Sequence, residues 1–362
     1  MREDDGPPVD YDVLDLYDLA LLLNYERYTR EPRFRRSMLV DVVRGGEDFS
    51  MFSESNRLSN WISPETRAER TGFMFKIEDL PFDEDQPDLP TDMLPTSIVP
   101  PRIQALSPLE LETIFYQSRA HDACFSTIAL LQYLFEHYDG LQPVCVRTNT
   151  GVEFITHMEY HHTATFMLRN PKSATVSVIL NGNPTYHQES SGRTKMRLPR
   201  RTLVTGNKAT MKHCAMVFVP PPEGSDLDRL SRGRVPRDNV VLDLASMQFG
   251  DAGRGLRGKS LFVLEPMETF KARMLTVAES ADEPVTGGPM LESPKSIWLK
   301  EVARRAKERY DRREKEHWCG HCGAPAKRFA CKCRAAWYCD SAHQKAAWPF
   351  HKHYCSSVKV GK

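Results

Sequence analysis

Apolar and polar positions follow a helical period in the first part of the chain and break into short apolar runs beyond residue 140. From Tyr11 to Tyr28, the apolar positions Val13, Leu14, Leu16, Tyr17, Leu21 and Leu23 have Asp12, Asp15 and Asp18 among them. This predicts a helix with acids at its N-terminal end, where the helix dipole favours them. Proline is tolerated at a first helical position, so Ser63-Pro64-Glu65 predicts a second, short helix. Ser107-Pro108-Leu109-Glu110 has the form of a capping box and predicts a helix running toward His121. Another helix is predicted from Ala123 to Tyr138, with Phe125, Ile128, Leu131, Leu134, Phe135 and Tyr138 at helical spacing and Asp139-Gly140 ending it. The runs that follow are Pro143–Arg147, Ala164–Leu168, Thr175–Leu180, Cys214–Val219, Val240–Leu244 and Ser260–Leu264. Their β-branched residues, with turn residues such as Asn181-Gly182-Asn183-Pro184 between them, predict strands. Helices followed by strands predict an α+β domain over residues 109–292.

Two segments depart from this pattern. Residues 79–108 mix six acidic residues with seven prolines, a composition that disfavours regular helix and predicts an exposed loop or linker. Residues 1–108 are therefore read as an N-terminal helical segment followed by an acidic, proline-rich loop, with Met1–Val9 outside the packed structure. Residues 293–316 show a narrow apolar stripe of Ile297, Trp298, Val302, Ala306 and Tyr310 among nine basic and five acidic residues. Mixed charges at helical spacing predict a solvated connector helix, with Ser293 as its cap and Pro294 at its first position. The last unit is residues 317–357.

Composition narrows the function only slightly. The chain has 362 residues, a hydrophobic content of 40% and a net charge of +1, which excludes a global electrostatic pull toward nucleic acid or membrane. No apolar run approaches the ~20 residues of a membrane helix, and no apolar leader follows Met1. An intracellular protein of the cytoplasm or nucleus is expected.

The chemistry is concentrated at the C-terminal end. Six of the nine cysteines lie between Cys319 and Cys355, spaced as Cys319-x2-Cys322, Cys331-x-Cys333, Cys339-x3-His343 and His351-x3-Cys355. Eight thiolate or imidazole donors suit two tetrahedral Zn2+ ions at four donors each. So short a segment has few apolar side chains to bury, so metal binding is expected to supply most of its folding free energy, on the order of 10 kcal/mol per ion. His317, His321 and His353 fall outside the spacing pattern and read as surface residues.

The run Trp337-Tyr338-Cys339, His343-Gln344, Trp348-Pro349-Phe350-His351-Lys352 and Cys355 resembles the MYND-type zinc finger. Two departures are a histidine at 343, where the family usually has cysteine, and one residue instead of two between Cys331 and Cys333. The resemblance implies a cross-braced double-zinc finger. In it, Cys319, Cys322, Cys339 and His343 hold one structural zinc, and Cys331, Cys333, His351 and Cys355 hold the other. It also implies a protein-interaction module that docks short proline-containing peptides, with Trp337, Tyr338 and Trp348 offering aromatic faces. The acidic loop, with Pro87-Asp88-Leu89-Pro90 and Met93-Leu94-Pro95, has the composition of such a ligand and is a candidate to dock on the finger of its own chain.

Two other classes are open. Cys124 at the start of a helix, His213 on a strand and Asp243 on a later strand follow the order of a papain-like or transglutaminase-like thiol enzyme. Nucleic-acid binding is the third class. Residues 317–362 carry eight basic residues against the single acid Asp340, and six thiolates with two Zn2+ leave them at +5.

Overall fold

The computed structural model describes residues 12–45, 47, 69–77, 83, 85–95, 98–181, 185–188, 194–197, 200–231, 238–255, 259–286, 296–326 and 329–359. The short helix read at Ser63, the Met1–Val9 tail and the Ser293-Pro294 cap lie outside these residues.

Helix α1, Leu16–Thr29, lies at the centre of the fold. Asp15 caps it by accepting a hydrogen bond from the Asp18 amide. Leu16, Leu19, Ala20, Leu21, Leu22 and Leu23 are all buried, and so are Asn24, Glu26 and Arg27 on the remaining face. A helix buried all round must be covered on every side. Part of that cover is a three-stranded sheet, in which β1 (Leu14–Asp15) runs parallel to β4 (Pro143–Arg147) and β4 antiparallel to β5 (Glu153–His157).

Two larger sheets complete the body. One has the order β10-β7-β3-β2, from Arg200–Thr205, Ser173–Leu180, Glu69–Ile77 and Ser37–Arg44, with β3 and β7 parallel and the other pairs antiparallel. The other has the order β13-β12-β11-β6-β14, from Val263–Pro266, Val240–Asp243, Thr210–Phe218, His161–Pro171 and Ala278–Ala281, with β15 (Val285–Thr286) also on β6. A separate hairpin joins β8 (Thr185–Gln188) to β9 (Thr194–Arg197).

Helices close the faces. The short α2 (Pro101–Gln104) precedes α3 (Pro108–Arg119), which begins with the capping box between Ser107 and Glu110, and α4 is Ala123–Phe135. After the short α5 (Asp226–Leu230), α6 (Met267–Val277) covers the far face of the six-stranded sheet with Phe270, Met274 and Val277. Helix α7, Ile297–Asp311, is capped by Ser296 and packs on α1 and α4. The finger holds β16 (Phe329–Ala330), β17 (Trp337–Tyr338), α8 (Ser341–Tyr354) and the one-turn α9 (Ser356–Lys359). The fold is mixed α+β, with a C-terminal cluster of Cys and His side chains.

The largest core cluster takes Leu14 to Phe75 from the first segment, Leu111 to Leu264 from the middle and Leu299 to Tyr310 from α7, and it reaches Phe350 in the finger. Of the stripe on α7, Val302, Ala306 and Tyr310 are buried with Leu299 and Ala303 beside them, because both α1 and α4 are apolar where the helix lies, whereas Trp298 is half-buried and Ile297 is exposed. Its basic residues are largely neutralised in place, Arg304 by Glu301 and Glu308, Arg305 by Glu301 and Asp85, Lys307 by Asp311, and Arg309 by Glu26 and Glu316.

The described part of the acidic, proline-rich stretch is mostly exposed or half-buried and is tied to the body at several points. Asp88 pairs with Arg35 at 3.0 Å, Asp85 with Arg305 at 2.6 Å, and Met93 is 1% exposed beside Arg119. Leu94 and Val99 pack against the same core. These contacts attach the described residues of the segment to the body.

Candidate metal centre

The finger is built from tight turns that bring donors together. In the first, the Gly323 amide bonds the Cys319 carbonyl at 2.8 Å, and Gly323 sits at φ +77°. A side chain there would start 2.7 Å from the Leu21 carbonyl oxygen, so only glycine lets this turn press against α1. The one-residue spacing of Cys331 and Cys333 is accommodated by Arg334 in the left-handed region at φ 59°, its amide bonding the Cys331 carbonyl at 2.9 Å. Helix α8 is capped by Asp340, which accepts from the His343 amide at 2.8 Å. It carries both histidine donors and leads into Cys355.

These turns place the eight side chains in two interleaved groups, Cys319, Cys322, Cys339 and His343 in one and Cys331, Cys333, His351 and Cys355 in the other. Within each group the donor atoms lie within 4.8 Å of one another. Cys322 Sγ is 3.7 Å from Cys339 Sγ, and Cys331 Sγ is 3.7 Å from Cys355 Sγ. Cys319 Sγ lies 3.4 Å from His343 Nδ1, and Cys333 Sγ 3.3 Å from His351 Nε2. A tetrahedral zinc with bonds of about 2.3 Å to sulfur and about 2.0 Å to nitrogen requires S···S near ~3.8 Å and S···N near ~3.5 Å. A disulfide would need about 2.05 Å. Donor chemistry and spacing both fit two zinc ions.

The finger is packed against the body. Tyr17 of α1 donates to the Gly320 carbonyl at 3.3 Å, and Arg309 of α7 donates to the Gly323 carbonyl at 2.9 Å while pairing with Glu26 at the same distance. Tyr354 donates to the Thr148 carbonyl at 2.8 Å, and the Arg147 guanidinium lies over the Phe350 and Tyr354 rings. A cavity of about 310 Å3 remains between the two parts, with Tyr17, Arg147, Trp318, Trp337 and Phe350 among its walls.

Sequence spacing gave no sign of Glu112. This residue on α3 places its carboxylate 2.9 Å from His321 Nε2, 2.9 Å from Arg254 Nη2 and 3.8 Å from His343 Nε2. Burial opposes its charge, but His321, Arg254 and His343 outweigh burial and push its carboxyl down to about 2. His321 is therefore a buried partner of the body, at 5% exposure, and not a surface residue. His317 is exposed and stacks on Trp337 with ring centroids 4.1 Å apart.

Of the three aromatic residues expected to face a peptide, Trp348 is exposed, Trp337 is half-buried with His317 over one face, and Tyr338 is buried at 1%. Tyr338 alternates inward from Trp337 on the same short strand and packs among the cysteines.

The thiol triad is not assembled. Cys124 and Cys214 belong to the core on one face of the six-stranded sheet, whereas His213 stacks against Phe249 and Phe270 on the other. Side chains alternate along β11, so adjacent residues 213 and 214 point oppositely. His213 Nε2 meets Asp243 at 2.8 Å and Nδ1 meets Gln248 at 2.7 Å, which leaves no ring nitrogen for Cys124. Hydrogen bonding to Cys214 and burial push the Cys124 thiol well up, the opposite of activation. Among the described residues, no helix is long and apolar enough to cross a membrane.

Comparison with known proteins agrees with this geometry at one end of the chain. The family model described as MYND finger matches residues 319–355. No curated protein and no solved structure matches the chain. Residues 319–355 are a MYND-type zinc finger, a protein-interaction module whose two Cys/His clusters fit two zinc sites.

Proposed function

We propose that this chain recognises short proline-containing segments of partner proteins through a cross-braced, double-zinc finger whose metal is structural. Cys319, Cys322, Cys339 and His343 hold one ion, and Cys331, Cys333, His351 and Cys355 hold the other. Four protein donors on each ion leave no open position for substrate, so the ions supply shape and stability. The observation that carries the reading is Trp348, 39% exposed on the zinc-held helix α8. Indole is a large, flat surface on which a proline ring can pack, and proline-rich segments lose little conformational entropy on docking. The net positive charge of residues 317–362 favours acidic residues beside those prolines. Such partners belong to the cytoplasm or nucleus.

The test is binding of proline-containing peptides and their proline-to-alanine counterparts to the zinc-loaded full chain by fluorescence anisotropy. Binding that depends on the prolines, and that falls at least about tenfold in Trp348→Ala, is expected for loss of an aromatic anchor. Equal binding of both peptide sets, or binding untouched by Trp348→Ala, would refute the reading.

A further inference from the structure

We infer that Glu112, on α3 of the body, is the outer carboxylate of the first zinc site, holding the ring of His343 from the side away from the metal. The site is then completed by a residue 231 positions upstream of that ligand in the sequence.

Four observations lead there. His343 turns Nδ1 toward the thiols, 3.4 Å from Cys319 Sγ, so Nε2 is the nitrogen that points away. Glu112 Oε1 stands 3.8 Å from that Nε2, longer than a hydrogen bond and within ion-pair reach. The same oxygen accepts from His321, inside the Cys319-x2-Cys322 turn, so one carboxylate faces both the turn and the helix α8 that carry the site's donors. Its other oxygen is fixed by Arg254, which is 2% exposed and also donates to Thr113 at 2.8 Å. Glu112 itself is 8% exposed, so solvent screens these contacts little.

The chemistry gives the arrangement a purpose. An imidazole bound to metal through one nitrogen carries its proton on the other, and a carboxylate facing that N–H fixes the tautomer and the ring plane and makes the ring a stronger donor. Both sites have three cysteines and one histidine, yet among the described residues no acidic side chain pairs with His351. The two sites therefore differ in their surroundings and not in their donors. It follows that the body strengthens the hold on the first zinc, which would leave more slowly from the whole chain than the donor set alone dictates. The inference rests on the two zinc sites and does not depend on peptide recognition. Zinc content of the unaltered chain, measured first, tests the sites themselves.

The experiment uses the zinc-loaded full chain. Zinc transfer to the chromogenic chelator 4-(2-pyridylazo)resorcinol is followed in wild type, Glu112→Gln and Glu26→Gln. Glu26→Gln removes the charge that pairs with Arg309, the residue that donates to the Gly323 carbonyl of the finger, without touching a donor. In parallel, each protein is loaded with cadmium, and the two 113Cd resonances are assigned by coupling to His343 and His351. Glu112→Gln is expected to speed release of one ion by about 10–100-fold and to shift the resonance coupled to His343, leaving the other ion and resonance as in wild type. Glu26→Gln should shift neither resonance. Equal changes at both ions, no change at either, or the same pattern from Glu26→Gln would overturn the inference. Glu112→Asp keeps the charge, serves if the glutamine variant does not fold, and should release the first ion at a rate between wild type and ten times wild type; a faster rate counts against the proposal.

Discussion

Tyr17 on α1 and Phe350 on α8 stack face to face, with ring centroids 3.6 Å apart and planes 10° from parallel. They join the first helix of the body to the longer helix of the finger across more than three hundred residues of sequence. Tyr17 is 8% exposed and Phe350 7%, so the pair is a core contact. Phe350→Ala should lower the stability of the chain by about 3–5 kcal/mol. A double-mutant cycle with Tyr17→Ala, read by denaturant unfolding, should return a coupling of about 0.5–1.5 kcal/mol. A coupling near zero would mean that the finger merely rests on the body.

Gly323 tests the same interface at the backbone. With φ at +77° and the Leu21 carbonyl 2.7 Å from the place of a side chain, Gly323→Ala combines left-handed strain with a clash against helix backbone. The conformational part alone is about 1–2 kcal/mol, and the clash adds to it. The exposed Gly224 shares the left-handed backbone at φ +78° but has open space where a Cβ would go, so Gly323→Ala should melt below Gly224→Ala by the part due to the clash. Equal melting of Gly323→Ala and Gly224→Ala would contradict the packing described.

Elemental analysis should find about two zinc per chain, and about one in Cys331→Ser, because the second site then has three donors. Stripping both ions should also change the near-ultraviolet circular dichroism of the body, since the finger covers Tyr17 and Tyr25 of α1. A change confined to the far-ultraviolet signal of α8 would show that the body is indifferent to the metal.

His121 sets an acid limit. It is 1% exposed, bonded to Thr205 Oγ1 and Ser177 Oγ at 2.8 Å each, and burial, helped by Arg33, pushes its pKa down to about 3. The unfolded chain takes up a proton on this ring near pH 6.5, whereas the folded chain takes none until about pH 3. Between those values the unfolded state binds more protons, so stability falls as pH falls, by up to about 1.4 kcal/mol per pH unit for this one group. His121→Gln, compared with wild type by urea unfolding from pH 7 to 4, should be less stable at pH 7 and close the gap toward pH 4. Parallel curves would mean that the ring takes up its proton alike in the folded and the unfolded chain.

The sequence by itself determined what is local. That eight cysteines and histidines form close pairs of zinc donors reads from spacing, because tight turns and one helix bring the donors together within 37 residues, and their division between two ions followed from the resemblance to the MYND-type finger. The capping box at Ser107 and Glu110 and the apolar run of α1 read the same way, since capping and periodicity are properties of a few neighbouring residues. Only the tertiary structure decided what depends on distant segments. The parallel pairing of β3 with β7 joins strands about a hundred residues apart. The burial of α7 depends on the faces that α1 and α4 present to it. The order of Cys124, His213 and Asp243 suggested a catalytic set, yet alternation along β11 puts the cysteine and the histidine on opposite faces, and no sequence rule says which face a helix covers. Glu112 is the sharpest case. On α3 it looks like one more charged residue in a helix, and it acquires a role only because folding brings His321 and His343 to the same carboxylate.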